Sequence, residues 1–153
     1  MIAIGLPMKT LHLSIILLIV ATAIAAYVFT SAENEADGVI GLYWTPAKDG
    51  KVEIFKKDNK YFGKLILSGK SSDDKDEHNP DPKLRDRPLN GIVFLTNFEY
   101  SEKESKWING KVYGADNGKS YRAFMKLKNG NLLLRGYIGI SLIGRTETFE
   151  RIK

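Results

Sequence analysis

The stretch that decides the fold is Ser120-Tyr121-Arg122-Ala123-Phe124-Met125-Lys126-Leu127-Lys128, followed by Asn129-Gly130-Asn131 and then Leu132-Leu133-Leu134-Arg135-Gly136-Tyr137-Ile138. In its first part Tyr121, Ala123, Met125 and Leu127 alternate with Arg122, Phe124, Lys126 and Lys128. A period of two gives a chain two faces only when the chain is extended. Asn129-Gly130-Asn131 is a tight-turn signal, because Asn and Gly accept the left-handed backbone that a hairpin turn needs. The stretch is therefore a β-hairpin with one apolar face.

The same pattern repeats outward in both directions. Val39 to Thr45 is rich in β-formers and stops at Pro46, and Asp49-Gly50 marks a turn before Lys51 to Lys57. Asp58-Asn59 leads into Tyr61 to Ser68, and a long polar stretch spans residues 69–90. Strands resume at Ile92 to Phe98 and Trp107 to Tyr113, Asp116-Asn117-Gly118 turns the chain into Ser120, and Ile140 to Ile152 closes it. The sum is an all-β domain of about eight antiparallel strands in up-and-down order, which predicts a small closed barrel. Closure removes the exposed edges of an exported sheet. A barrel of about eight strands is either filled by side chains or just wide enough for one small ligand; the sequence leaves both open.

Upstream the pattern changes. Lys9 precedes an apolar run from Leu11 to Phe29, centred on Ile15-Ile16-Leu17-Leu18-Ile19-Val20 and closed by Thr30-Ser31-Ala32. A charged start, an apolar middle and a small-residue end make residues 1–32 an export signal. Ala32 is the expected last residue before the cut and Ala26 the second choice; Met8 serves as a start as well as Met1, since Met1 to Pro7 adds nothing a signal needs. The run of about 19 residues also approaches the ~20 that span a bilayer, so a retained anchor is the alternative to cleavage. Either way residues 33–153 lie outside the cytoplasm, because the lysine precedes the run. The domain is then periplasmic or secreted, or held at the inner membrane by an uncleaved leader.

Composition removes several function classes. The chain has no cysteine, which excludes disulfides, thiolate metal sites, a cysteine nucleophile and a lipid anchor on cysteine. The net charge of +5 is spread among acidic residues, as in Lys48-Asp49-Gly50-Lys51-Val52-Glu53, and is not a clustered nucleic-acid footprint.

Four stretches carry a family resemblance. They are Gly41-Leu42-Tyr43 with Val52-Glu53-Ile54; Asn79-Pro80-Asp81-Pro82-Lys83-Leu84-Arg85-Asp86-Arg87-Pro88-Leu89; Gly110-Lys111-Val112-Tyr113 with Asn117-Gly118-Lys119-Ser120-Tyr121; and Arg135-Gly136-Tyr137-Ile138-Gly139-Ile140-Ser141-Leu142-Ile143-Gly144-Arg145-Thr146. In these the chain resembles a bacterial family of exported proteins catalogued as domain of unknown function 2147. The resemblance implies a lipocalin-like (calycin-like) barrel and no established reaction. Such barrels often stack a first-strand Trp under a last-strand Arg. Here Tyr43 or Trp44, with Arg145 or Arg151, would close the barrel by a cation–π contact.

Candidate sites are few. Asp73-Asp74-Lys75-Asp76-Glu77-His78 is acidic and holds the domain's one histidine, but lacks the glycine and terminal glutamate of a calcium loop; it reads as a solvated loop, and no metal site is expected. Asn79 to Pro88 carries three prolines and reads as a rigid loop packed on the barrel. In an extended segment Arg85 and Arg87 point the same way, able to hold a ligand carboxylate or phosphate, or else to tie the loop down. Gly136, Gly139 and Gly144 mark bends in strands and do not form a phosphate cradle. Ser141 lacks the spacing of an esterase elbow. No catalytic residue and no cofactor is expected. Two non-enzymatic roles fit. The first is an exported protein binding a small apolar or amphipathic ligand through Phe94, Tyr121, Met125, Leu132 and Leu134, with Arg85 or Arg87 at the mouth. The second is an envelope interaction module with a filled barrel and a protein partner, working through its surface at the Phe98–Trp107 hairpin or the rigid loop.

Overall fold

Strands form where alternation and β-formers coincide, and most end at Asn, Asp or Gly residues that accept left-handed backbone, while Lys48 and Ser105 take it in two of the turns. The computed structural model describes residues 17–24, 27–28 and 35–153, and the chain divides into two units, Met1–Gly38 and Val39–Lys153. In the first unit residues 17–24 and 27–28 are helical, with Leu17, Leu18, Ile19 and Val20 exposed. No helix among the described residues is long and apolar enough to cross a membrane. Met8, Ala26 and Ala32, the expected start and cut sites, lie outside the described residues.

The second unit is one closed antiparallel barrel in sequence order. Its strands are β1 (Gly41–Trp44), β2 (Gly50–Lys57), β3 (Lys60–Leu67), β4 (Val93–Ser101), β5 (Lys106–Gly114), β6 (Lys119–Lys128), β7 (Asn131–Tyr137) and β8 (Gly144–Arg151). The expected eight-strand architecture is present. Most strand bounds lie within one to three residues of expectation, and the first and last strands are shorter than expected. β1 covers only Gly41–Trp44, and the last strand starts at Gly144, not Ile140. Residues 138–143 turn instead: the Ile138 amide donates to the Ile143 carbonyl, the Ile143 amide donates to the Ile140 carbonyl, and Gly139 takes φ 67°. The run Ile140-Ser141-Leu142-Ile143 alternates like a strand, but a left-handed glycine beside it ends the extension.

Closure rests on a short seam. β1 meets β8 at only two pairs, Tyr43 with Arg151 and Trp44 with Glu150. Tyr43 is fully buried, and the Arg151 guanidinium lies 4.9 Å from its ring centre. Arg151 Nη2 donates to the Tyr43 hydroxyl at 2.6 Å and Nη1 donates to the Ile40 carbonyl at 3.3 Å. The hydroxyl in turn donates to the Val39 carbonyl at 2.8 Å. Burial raises the Tyr43 hydroxyl above its ordinary pKa, although the charge and hydrogen bond of Arg151 pull it down; the proton needed for the Val39 bond is therefore kept. Trp44 faces outward beneath Lys51, whose Nζ is 4.9 Å from the ring centre. Arg145 stands at the opposite end of β8.

The half of the barrel next to this seam is filled. Asn97 in β4 and Asn109 in β5 adopt left-handed backbone, φ 60° and 61°, which Asn tolerates better than most residues. Register shifts appear between β3 and β4 and between β5 and β6, while β4 and β5 stay in step, with Leu95 opposite Val112 and Glu99 opposite Ile108. Each bulge inverts the in–out alternation of its strand. Leu95 and Phe98 are both fully buried in consequence, and the Phe98 ring occupies the place where a Cβ on Gly110 would sit. Trp107 packs edge-on to Tyr61 at 6.2 Å and tilted against Tyr100 at 5.0 Å. Met125 and Leu132, both fully buried, complete the plug. The Phe98–Trp107 segment, expected as a surface hairpin, places both its terminal aromatics in the core.

The stretch 69–90 folds back on itself outside the barrel. It contains the 3-10 turns Gly69–Asp73 and Pro82–Leu84 and a bridge between Lys75 and Pro88. Its centre is Asp76, which is fully buried; the reading of Asp73 to His78 as a solvated loop fails at this residue. Arg87 donates to Asp76 Oδ2 from Nε at 2.9 Å and from Nη2 at 2.7 Å, Asn79 Nδ2 donates to the same oxygen at 2.7 Å, and the Tyr113 hydroxyl donates to Oδ1 at 2.5 Å. Burial alone would raise the Asp76 carboxyl, but these donors outweigh it and hold the group below its ordinary range. Tyr113 is pushed up by its own burial and by the bond and charge of Asp76.

Two outcomes follow for stability. Arg151→Ala removes two charged hydrogen bonds and a cation–π contact at the seam and is expected to cost about 2–4 kcal/mol in urea unfolding. Arg151→Lys should recover only part of this, since an ammonium lacks the planar fork. Asp76→Asn is expected to cost about 2–4 kcal/mol at pH 7. Because the folded Asp76 pKa is depressed, its contribution is present above the ordinary carboxylate range and is lost as pH falls through the folded value. The gap between wild type and Asp76→Asn should therefore narrow in melts taken below pH ~4; a gap that persists undiminished there would count against ionised Asp76 as the anchor.

Candidate functional site

The other half of the barrel is open. Antiparallel order places the turns after β1, β3, β5 and β7 at one end and the Tyr43–Arg151 seam at the other. Near the open end β5 to β8 present Val112, Tyr121, Leu134, Gly136 and Glu147 inward, with Val112 paired to Tyr121, Leu134 to Glu147 and Gly136 to Arg145. A side chain on Gly136 would enter this space: its Cβ would lie 3.2 Å from Val112 Cγ1. Without it a cavity of about 410 Å³ remains, bounded by these strands, by Asp116 and Asn117 of the β5–β6 turn, and by Ile138 and Ile143 of the β7–β8 turn. That volume falls in the range of small-molecule pockets, roughly 300–1,000 Å³.

Its chemistry is graded. The floor and walls are apolar, from Val112, Leu134 and the Tyr121 ring. Polar groups gather at the rim, and Glu147 adds a carboxylate to the wall beside Leu134. Asn117 Nδ2 donates to the Tyr121 hydroxyl at 3.0 Å, and the Asn117 side-chain oxygen is held by the Lys119 amide at 2.9 Å. Arg145 Nε pairs with Glu147 Oε1 at 2.5 Å, with the arginine almost fully exposed and the glutamate half-buried. Such a space accepts an apolar body and leaves a polar end near solvent.

The residues singled out from sequence separate here. Tyr121 and Leu134 line the cavity. Met125 and Leu132 point inward but belong to the filled half. Phe94 is corrected to the outer face: the bulge at Asn97 turns Leu95 inward, so its neighbour points out. Arg85 and Arg87 do not form a mouth. Arg85 has αR backbone after a 3-10 turn and donates from Nε to the Asn79 carbonyl at 2.9 Å, and Arg87 is committed to Asp76. The segment is not extended, so the side-by-side geometry never arises. Arg145, considered for barrel closure, is a mouth residue. Ser141 is an exposed turn residue whose carbonyl accepts from Arg135 Nε at 2.7 Å. The sequence reading missed Val112, Asn117, Gly136, Ile143 and Glu147 as lining residues. Gly136 was the available signal, a small residue on the inward face of an otherwise apolar strand.

Comparison with known proteins fits this geometry. A solved structure from the human pathogen Helicobacter pylori, described as belonging to the lipocalin family, superposes with a TM-score of 0.66 at 29% identity, covering 75% of this chain and 83% of that chain. No curated protein matches the chain. The model of the family described as "Uncharacterized protein conserved in bacteria (DUF2147)" matches residues 41–151, and the chain belongs to that family.

Proposed function

We propose that this protein is an exported, non-enzymatic binding protein that holds one small apolar or amphipathic molecule in the open half of its barrel. The observation that carries the reading is the cavity of about 410 Å³ above a filled lower half, apolar at its floor and polar at its rim. A lipocalin-like barrel supports it, since barrels of this size commonly enclose a single small ligand. Export is supported by the charged start, apolar run and small-residue end of residues 1–32; the domain then works in the periplasm or outside the cell, or tethered at the inner membrane if the leader is retained. In those compartments an apolar molecule must cross water, and a rigid walled cavity removes its surface from solvent at about 25 cal/mol per Å².

The test is native mass spectrometry of the protein equilibrated with a series of fatty acids of increasing length. A one-to-one adduct is expected for the wild-type chain. Gly136→Phe should fill the cavity and weaken binding by about tenfold or more, with a modest fall in the urea midpoint, because the ring enters existing space but its Cβ, 3.2 Å from Val112 Cγ1, makes that side chain shift. Equal adduct formation by both proteins would place the ligand elsewhere. Absence of any adduct would favour the interaction-module reading.

A further inference from the structure

The turn between β7 and β8 has a composition opposite to that of an ordinary surface turn. Leu142 is 83% exposed, Ile138 66%, Ile143 65% and Ile140 58%. These four side chains lie within six consecutive residues at the open end, and Ile138 and Ile143 also line the cavity. Exposed apolar residues in such a cluster mark a surface that meets something other than water.

The turn is also held in shape. Arg135 donates from Nε to the Ser141 carbonyl at 2.7 Å, from Nη2 to the Leu142 carbonyl at 3.1 Å and from Nη1 to Thr146 Oγ1 at 2.9 Å. One guanidinium therefore satisfies the turn's carbonyls from below and leaves its side chains projecting outward. An apolar loop that collapsed onto its own domain would need no such prop.

The sheet face beside the turn is basic. Below the turn, on the outer face, Lys111, Arg122 and Tyr137 are cross-strand partners in one row, and the Arg122 guanidinium lies 5.5 Å from the Tyr137 ring centre. Lys111 and Arg122 are exposed, as are Lys119 and Arg145 at the same end. Against these cations stand Asp116 and Glu147, the latter already paired to Arg145, and the exposed Asp73, Asp74, Glu77, Asp81 and Asp86 of the 69–90 segment at the same end, which Lys75, Lys83, Arg85 and Arg87 of that segment offset. A cluster of aliphatic side chains rimmed by cations matches a bilayer carrying anionic lipid: the aliphatic groups enter the acyl boundary and the cations stay among the headgroups.

We infer that the β7–β8 turn is a membrane-docking loop, which seats the open end of the barrel on an anionic lipid surface through Ile138, Ile140, Leu142 and Ile143. Seated in this way, the cavity faces the bilayer. Docking requires only the loop and its cations, so it stands whether or not the cavity binds fatty acids.

Because the chain has no cysteine, a single one can be introduced and labelled with an environment-sensitive dye. The full chain carries its own apolar N-terminal segment, so the readout must be local. Ser141→Cys reports on the turn; Lys103→Cys, exposed between β4 and β5 at the opposite end, is the control. On addition of vesicles of phosphatidylglycerol and phosphatidylcholine, the label at 141 should shift to the blue and brighten while that at 103 stays unchanged. The response should weaken with salt. A second change, Leu142→Asp, should lower vesicle partition read at 141 by about tenfold or more. Four results would overturn the inference. They are chain that floats with the vesicles while the label at 141 is silent; equal responses at 141 and 103; equal response to pure phosphatidylcholine; and a shift at 141 that rises with protein concentration without lipid, which would make the turn a contact between copies.

Discussion

Everything else in the barrel depends on the pair Tyr43 and Arg151. Eight strands enclose an interior only if the first meets the last, and here that junction has two residue pairs. Backbone bonding over so short a seam is weak. The deficit is made up by one arginine, which spans the junction with its guanidinium on the Tyr43 ring, its hydroxyl and the Ile40 carbonyl. In a chain without disulfides, a planar cation with five donors is the compact way to tie two strands and stack on a ring at once.

Once closed, the interior is divided by two asparagines. The bulges at Asn97 and Asn109 rotate Phe98 and Gly110 toward each other, and the ring fills the space the glycine leaves. Below that level lie Trp107, Met125 and Leu132; above it the inward positions become smaller or more polar, as Val112, Gly136 and Glu147. The same device, a large residue opposite a glycine, closes one half of the barrel, and its absence at Gly136 leaves the other half open. Filled plug and open cup are consequences of side-chain size along shared strands and need no separate element.

Much of this was legible in the sequence. Strands β5 to β7 were legible because their alternation is unbroken by proline and their turns carry Asn and Gly. What was hidden had specific causes. A bulge inverts alternation without any change in composition, so Phe94 and Leu95 exchanged faces. The turn at 138–143 is built from β-branched and aliphatic residues and imitates a strand, and only the backbone of Gly139 separates the two. Tyr43 and Trp44 differ by one position in register, which periodicity cannot resolve. Asp76 was concealed most completely: a carboxylate among other carboxylates reads as solvent-facing, and its burial depends on Arg87, Asn79 and Tyr113, the last from a distant strand.

The two largest turns at the open end solve the problem of polar backbone in opposite ways. The 69–90 segment encloses a charge, gathers its donors around it and leaves mostly polar side chains outside. The β7–β8 turn takes its donors from Arg135 in the neighbouring strand and leaves all four of its aliphatic side chains exposed, with Ser141 the one polar side chain among them. The second arrangement exposes apolar surface to water, which carries a free-energy cost. A turn of polar residues would satisfy the same backbone without that cost. The aliphatic turn is accounted for where water is displaced from it, at the open end of the barrel.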